Sequence, residues 1–65
     1  MSETTDDEAR SNRAIIFDVA KKEFAESGFA GTPVSRIAAG SGLNKQLIYH
    51  YFGSKRGLYE AVMEE

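Results

Sequence analysis

Between Thr32 and Gly53 the chain carries two helical segments, "TPVSRIAAGSG" and "NKQLIYHYF". The second of these, like the helix that follows it, is too short to hold its shape alone, so tertiary packing must stabilise it. Gly40 and Gly42 end the first, and Asn44 starts the second almost at once. Two short helices joined by a glycine-containing turn of about three or four residues spell a helix-turn-helix. Nothing in the chain reads as a strand. The expected fold class is therefore all-α: a three-helix, homeodomain-like helix-turn-helix domain followed by the start of a fourth helix.

The other helices can be placed around this pair. In "ARSNRAIIFDVAKKEFAESG", Phe17, Ala20 and Phe24 follow the spacing of one helix face, and Ile16 widens the stripe. Gly28 suits the left-handed residue that ends such a helix, with Phe29 folding back over the last turn. Thr32 reads as the cap of the second helix, with Pro33 at its first position and Val34, Ile37 and Ala38 as its apolar face. Asn44 reads as the cap of the third helix and Gly53 as its end. Ser54 reads as the cap of the fourth, whose stripe is Leu58, Ala61 and Val62. The polar, aperiodic segment 1–8 is expected to be a disordered acidic tail.

Length and chemistry narrow the function. A chain of 65 residues is one domain, burying only about 60% of its unfolded surface. It has no cysteine and a single histidine, His50, so neither a disulfide framework nor a metal site is expected, and no cofactor is implied. No apolar run approaches the roughly 20 residues of a membrane span, which points to a cytoplasmic protein. The net charge of −2 hides a gradient. Glu3, Asp6, Asp7 and Glu8 crowd the start, whereas Ser27 to Tyr59 holds Arg36, Lys45, Lys55 and Arg56 and no acid at all. Distribution, more than the sum, decides whether a surface attracts phosphate.

The third helix divides its aromatic run. At about 100° per residue, Ile48 and Phe52 lie roughly 40° apart and define the buried face. His50 points the opposite way, with Gln46 one turn earlier beside it. Tyr49 and Tyr51 flank the buried centre at about 80° on either side. Leu47 falls near the outer line and is expected to be unusually exposed for a leucine. A helix in the DNA major groove needs this layout, with central side chains meeting base edges and flanking ones meeting the sugar-phosphate walls. Gln46 can read adenine bidentately, and Leu47 can pack on a thymine methyl. The plainer reading stays open beside this one: half-buried tyrosines, a surface histidine and solvated lysines.

With the helix-turn-helix in place, Arg13 to Val62 resembles the N-terminal DNA-binding domain of TetR-type (tetracycline-repressor-like) transcriptional regulators. The matching features are Phe24 to Phe29, Thr32, Ile37-Ala38, Gly42-Leu43-Asn44, Ile48 to Phe52, and Ser54 to Leu58. The resemblance implies that residues 9–65 form such a domain, with residues 45–52 as the recognition helix. By the same resemblance Lys45, Gln46 and His50 approach bases, while Thr32, Tyr49, Tyr51 and Lys55 contact phosphate. Arg36, Leu47 and Arg56 are further candidate contacts. Gln46 stands where a small residue is usual, Leu47 where Thr or Ser is usual, and Arg56 where an acid is frequent. The start of the chain is acidic where relatives often carry a basic arm.

The family further implies a near-palindromic double-stranded operator, a homodimeric parent acting as a repressor at the bacterial nucleoid, and an effector bound through a C-terminal domain that this chain does not include. As a fragment it is expected to be monomeric. An enzyme is not expected. Tyr51-x-x-x-Lys55 spells the Tyr/Lys pair of short-chain dehydrogenases, but no glycine-rich dinucleotide motif accompanies it. The remaining alternative is a small helical protein-interaction module with tyrosine anchors.

Overall fold

Four helices form where the apolar spacing and the glycine punctuation place them: α1 (Ser2–Ser27), α2 (Val34–Ser41), α3 (Lys45–Phe52) and α4 (Lys55–Glu64). The computed structural model describes the backbone of residues 2–64 and the side chains of residues 8–64. No strand occurs among the described residues. Met1 lies outside them. From Ser2 onward the segment expected to be a disordered tail forms the opening turns of α1. Once a helix is nucleated, each further residue adds a backbone hydrogen bond at little cost.

One apolar cluster holds the four helices together. Ile16, Ala20 and Phe24 come from α1, Val34 and Ile37 from α2, Ile48 from α3, and Leu58 and Val62 from α4. The row Ile16–Ala20–Phe24 steps by four residues and forms one ridge of α1, so it faces the partner helices directly. Phe17, expected at the centre of that stripe, instead sits at its partly buried edge. Helix α1 lies against all three other helices, and α2, α3 and α4 follow one another around it. Tight approach matters where α2 crosses α1: a Cβ on Gly40 would stand 2.9 Å from Cγ1 of Val19.

Helix ends set the path of the chain. Gly28 takes φ 75°, and its N–H donates to the Phe24 carbonyl at 2.8 Å. Phe29 then folds back so that its ring stacks on Phe24, with centroids 6.2 Å apart. The turn between α2 and α3 rests on Gly42 at φ 75°, whose N–H donates to the Ala38 carbonyl at 2.9 Å. The Ser41 hydroxyl closes the same turn: it donates to the Ala38 carbonyl and accepts from the Leu43 N–H. Asn44 caps α3, its Oδ1 accepting from the Leu47 N–H at 2.8 Å, and Ser54 caps α4 by accepting from the Gly57 N–H at 2.9 Å. Position 57 favours glycine, since a Cβ there would land on the carbonyl oxygen of Phe52.

The start of α2 departs from the sequence reading. Pro33, expected at the first helical position, is the extended residue just before the helix, and no side chain caps that end. Thr32, expected to cap it, is fully buried and turned the other way. Its Oγ1 lies 2.8 Å from the Gly28 carbonyl and 3.1 Å from the Glu23 carbonyl, both at the end of α1. A buried hydroxyl must find an acceptor, and the Gly28 carbonyl just past α1 and the Glu23 carbonyl near its end lie within reach. Thr32 therefore ties the α1–α2 connection to α1.

Candidate nucleic-acid interface

Helix α3 is anchored on one side and open on the other. Ile48 is fully buried, and Tyr51 and Phe52 pack partly against the core. Lys45, Gln46, Tyr49 and His50 are exposed, forming a stripe with the i, i+1, i+4, i+5 spacing of one helix face. Tyr49 is 43% exposed, unusually open for a large aromatic residue. The Tyr51 and His50 rings meet in a T-shaped pair, with centroids 5.3 Å apart and planes at 68°. Leu47, expected to stand out, is only partly exposed.

Asn44 and Gly53 hold the two ends of this helix. The Gly53 N–H donates to the Tyr49 carbonyl at 2.7 Å, with Gly53 at φ 83°. The stripe thus stands on a short element whose ends and buried side are both fixed, which limits the disorder a ligand must suppress. A guanidinium adds a further tie: Arg13 of α1 lies over the Phe52 ring, 4.8 Å from its centroid. The sequence places Phe52 on the buried face of α3 and gives Arg13 no partner. No local pattern signals this pairing, because the residues are far apart in sequence.

The charges around the stripe differ in availability. Arg36 is tied to α1: it faces Glu23 at 3.7 Å and donates to Ser27 Oγ at 3.3 Å. Arg56 pairs with Glu60 one turn along α4, at 3.1 Å with both side chains well exposed. Among the described residues, Lys45 and Lys55 make no ion pair. The Lys55 ammonium instead lies over the Phe29 ring, 4.3 Å from its centroid. Lys45 stands exposed in the first turn of α3.

The expected site residues therefore separate. The structure brings Lys45, Gln46, Tyr49 and His50 onto one exposed face, with Tyr51 at its edge and Lys55 just beyond Gly53. It removes Thr32 from the set of direct contacts, because its side chain is 0% exposed and its hydroxyl is engaged with backbone carbonyls. Arg36 and Arg56 carry intramolecular partners. Among the described residues, no group of His, Cys, Asp or Glu side chains could hold a metal ion, and no helix is long and apolar enough to cross a membrane.

Comparison with known proteins adds a second line of observation. Residues 16–62 match the family described as bacterial regulatory proteins, tetR family. The chain is 47% identical over 55 residues to an HTH-type transcriptional repressor of Streptomyces coelicolor, an alignment covering 85% of this chain and 29% of that protein. It is 35% identical over 65 residues to the HTH-type transcriptional repressor AcnR of Corynebacterium efficiens, covering 100% of this chain and 35% of the relative. It is also 35% identical over 51 residues to the HTH-type transcriptional regulator BetI of Burkholderia thailandensis, covering 78% and 26% respectively. The chain thus spans about a third or less of the length of these relatives. No solved structure matches it significantly.

Proposed function

The chain belongs to the tetR family of bacterial regulatory proteins, and from that premise we propose that it reads double-stranded DNA as the helix-turn-helix head of a transcriptional repressor. Helix α3 enters the major groove. Lys45, Gln46 and His50 meet base edges, while Tyr49, Tyr51 and Lys55 meet the phosphates on either side. The observation that carries this reading is the exposed stripe on a helix fixed at both ends, in a 27–59 segment free of acidic side chains. The names of the relatives, two repressors and a regulator, point the same way. Two copies of the head on a near-palindromic operator, acting at the bacterial nucleoid, complete the proposal.

Selection from a random duplex library, followed by titration across salt concentrations, tests it. Phosphate-led binding weakens with salt with a log–log slope of about −0.9 per phosphate neutralised. Tyr49→Phe removes one hydroxyl and should weaken all duplexes alike, by roughly two- to tenfold for a bond worth about 0.5–1.5 kcal/mol. Gln46→Ala should change which bases are selected, since a bidentate pair discriminates by about 1–3 kcal/mol. An unchanged selected sequence would remove Gln46 from base reading. Binding insensitive to salt would sink the DNA reading as a whole and favour a protein partner.

A further inference from the structure

Phe29 sits in the connection after α1 with 37% of its surface exposed, yet its ring is fixed from two sides. It stacks on Phe24 of α1 and meets the Tyr59 ring of α4 edge-on, with centroids 5.0 Å apart and planes at 73°. Tyr59 in turn meets Phe24 edge-on at 5.1 Å and 88°, so the three rings close a triangle between the end of α1 and the start of α4. The Lys55 ammonium lies over the Phe29 ring at 4.3 Å. Lys55 is the first residue of α4, directly after the Ser54 cap.

We infer that Phe29 is a positioning residue for Lys55, holding its ammonium in place before DNA arrives so that it meets a phosphate at lower entropic cost. This rests on the reading of Lys55 as a phosphate contact. A free lysine side chain loses up to about 2 kcal/mol of rotamer freedom when it is ordered. A ring face, attractive to a cation through its quadrupole, fixes the side chain beforehand. The ammonium has three N–H donors, and a ring on one side leaves others free for a phosphate oxygen. Lys45, exposed and without a ring partner among the described residues, is the internal comparison.

The test is a double-mutant cycle on the whole chain, using a random-sequence DNA duplex of about 20 base pairs, two helical turns. Affinity is read by fluorescence anisotropy at several salt concentrations, below each variant's thermal midpoint. Lys55→Ala should lower the magnitude of the salt slope by about 0.9. Phe29→Leu should weaken binding about two- to fivefold, the size expected for an exposed cation–π contact. That loss should persist in a Lys45→Ala background and vanish in a Lys55→Ala background, and Phe29→Tyr should restore it. Equal losses in both backgrounds would make Phe29 merely structural and overturn the inference. Tighter binding by Phe29→Leu would also overturn it, because the ring would then be withholding the lysine. An unchanged salt slope in Lys55→Ala would remove Lys55 from the phosphates and the inference with it. That outcome differs from failure of the DNA reading, in which the unaltered chain itself shows no salt-dependent binding.

Discussion

Thr32→Val separates two roles that the sequence alone confuses. The substitution keeps the shape and removes the hydroxyl from a site that is 0% exposed, where Oγ1 lies 2.8 Å and 3.1 Å from two carbonyls. A hydrogen bond of this kind contributes about 0.5–1.5 kcal/mol net, and leaving a buried carbonyl short of a donor adds a penalty of about 1–3 kcal/mol. Water can still approach the Gly28 carbonyl, since Gly28 is exposed, so the lower part of the combined range applies: roughly 1.5–2.5 kcal/mol. In a domain this small each kcal/mol moves the thermal midpoint by about 4–8 °C, so a fall of roughly 6–20 °C should appear by circular dichroism. DNA affinity and salt slope, measured below that midpoint, should match those of the unaltered chain. A thermal midpoint left in place, together with weaker DNA binding and a shallower salt slope, would refute the anchoring role and return Thr32 to the phosphates.

Two glycines yield predictions of opposite character. Gly42→Ala should destabilise the domain by about 1–2 kcal/mol, because φ 75° is strained for an L-residue although open space surrounds the site. The mirror-image D-alanine, introduced by chemical synthesis, should be tolerated or stabilising; equal losses from both forms in thermal melts would contradict this. Gly57→Ala would ordinarily stabilise a helix by about 0.5–1 kcal/mol. Here the new Cβ falls on the Phe52 carbonyl, so the domain should instead lose stability, and a raised midpoint would show that α4 can shift away freely.

Much of this protein was legible because its signals are local. Gly28, Asn44, Gly53 and Ser54 act on backbone groups within a few residues, so each cap and stop could be read from spacing and matched the structure. The outward direction of Gln46 and His50 follows from helical periodicity with Ile48 buried, whereas periodicity sets Tyr49 and Tyr51 alike at the flanks and packing leaves Tyr49 the more exposed. The family could also be recognised from these local patterns. The use of Gln46, Tyr49 and His50 on DNA rests on that recognition and on the proposed function.

What tertiary structure alone decided involves partners that no local window contains. Thr32 could equally have capped α2; the carbonyls ending α1 drew its hydroxyl inward. The guanidinium of Arg13 on Phe52, the ammonium of Lys55 on Phe29 and the tie from Arg36 to α1 depend on how helices pack. Long cationic side chains have many rotamers of similar energy, and only a ring or carboxylate delivered by another helix selects among them. Backbone capping is dictated by neighbours in sequence, whereas the choice of partner for a flexible or buried polar side chain belongs to the assembled fold.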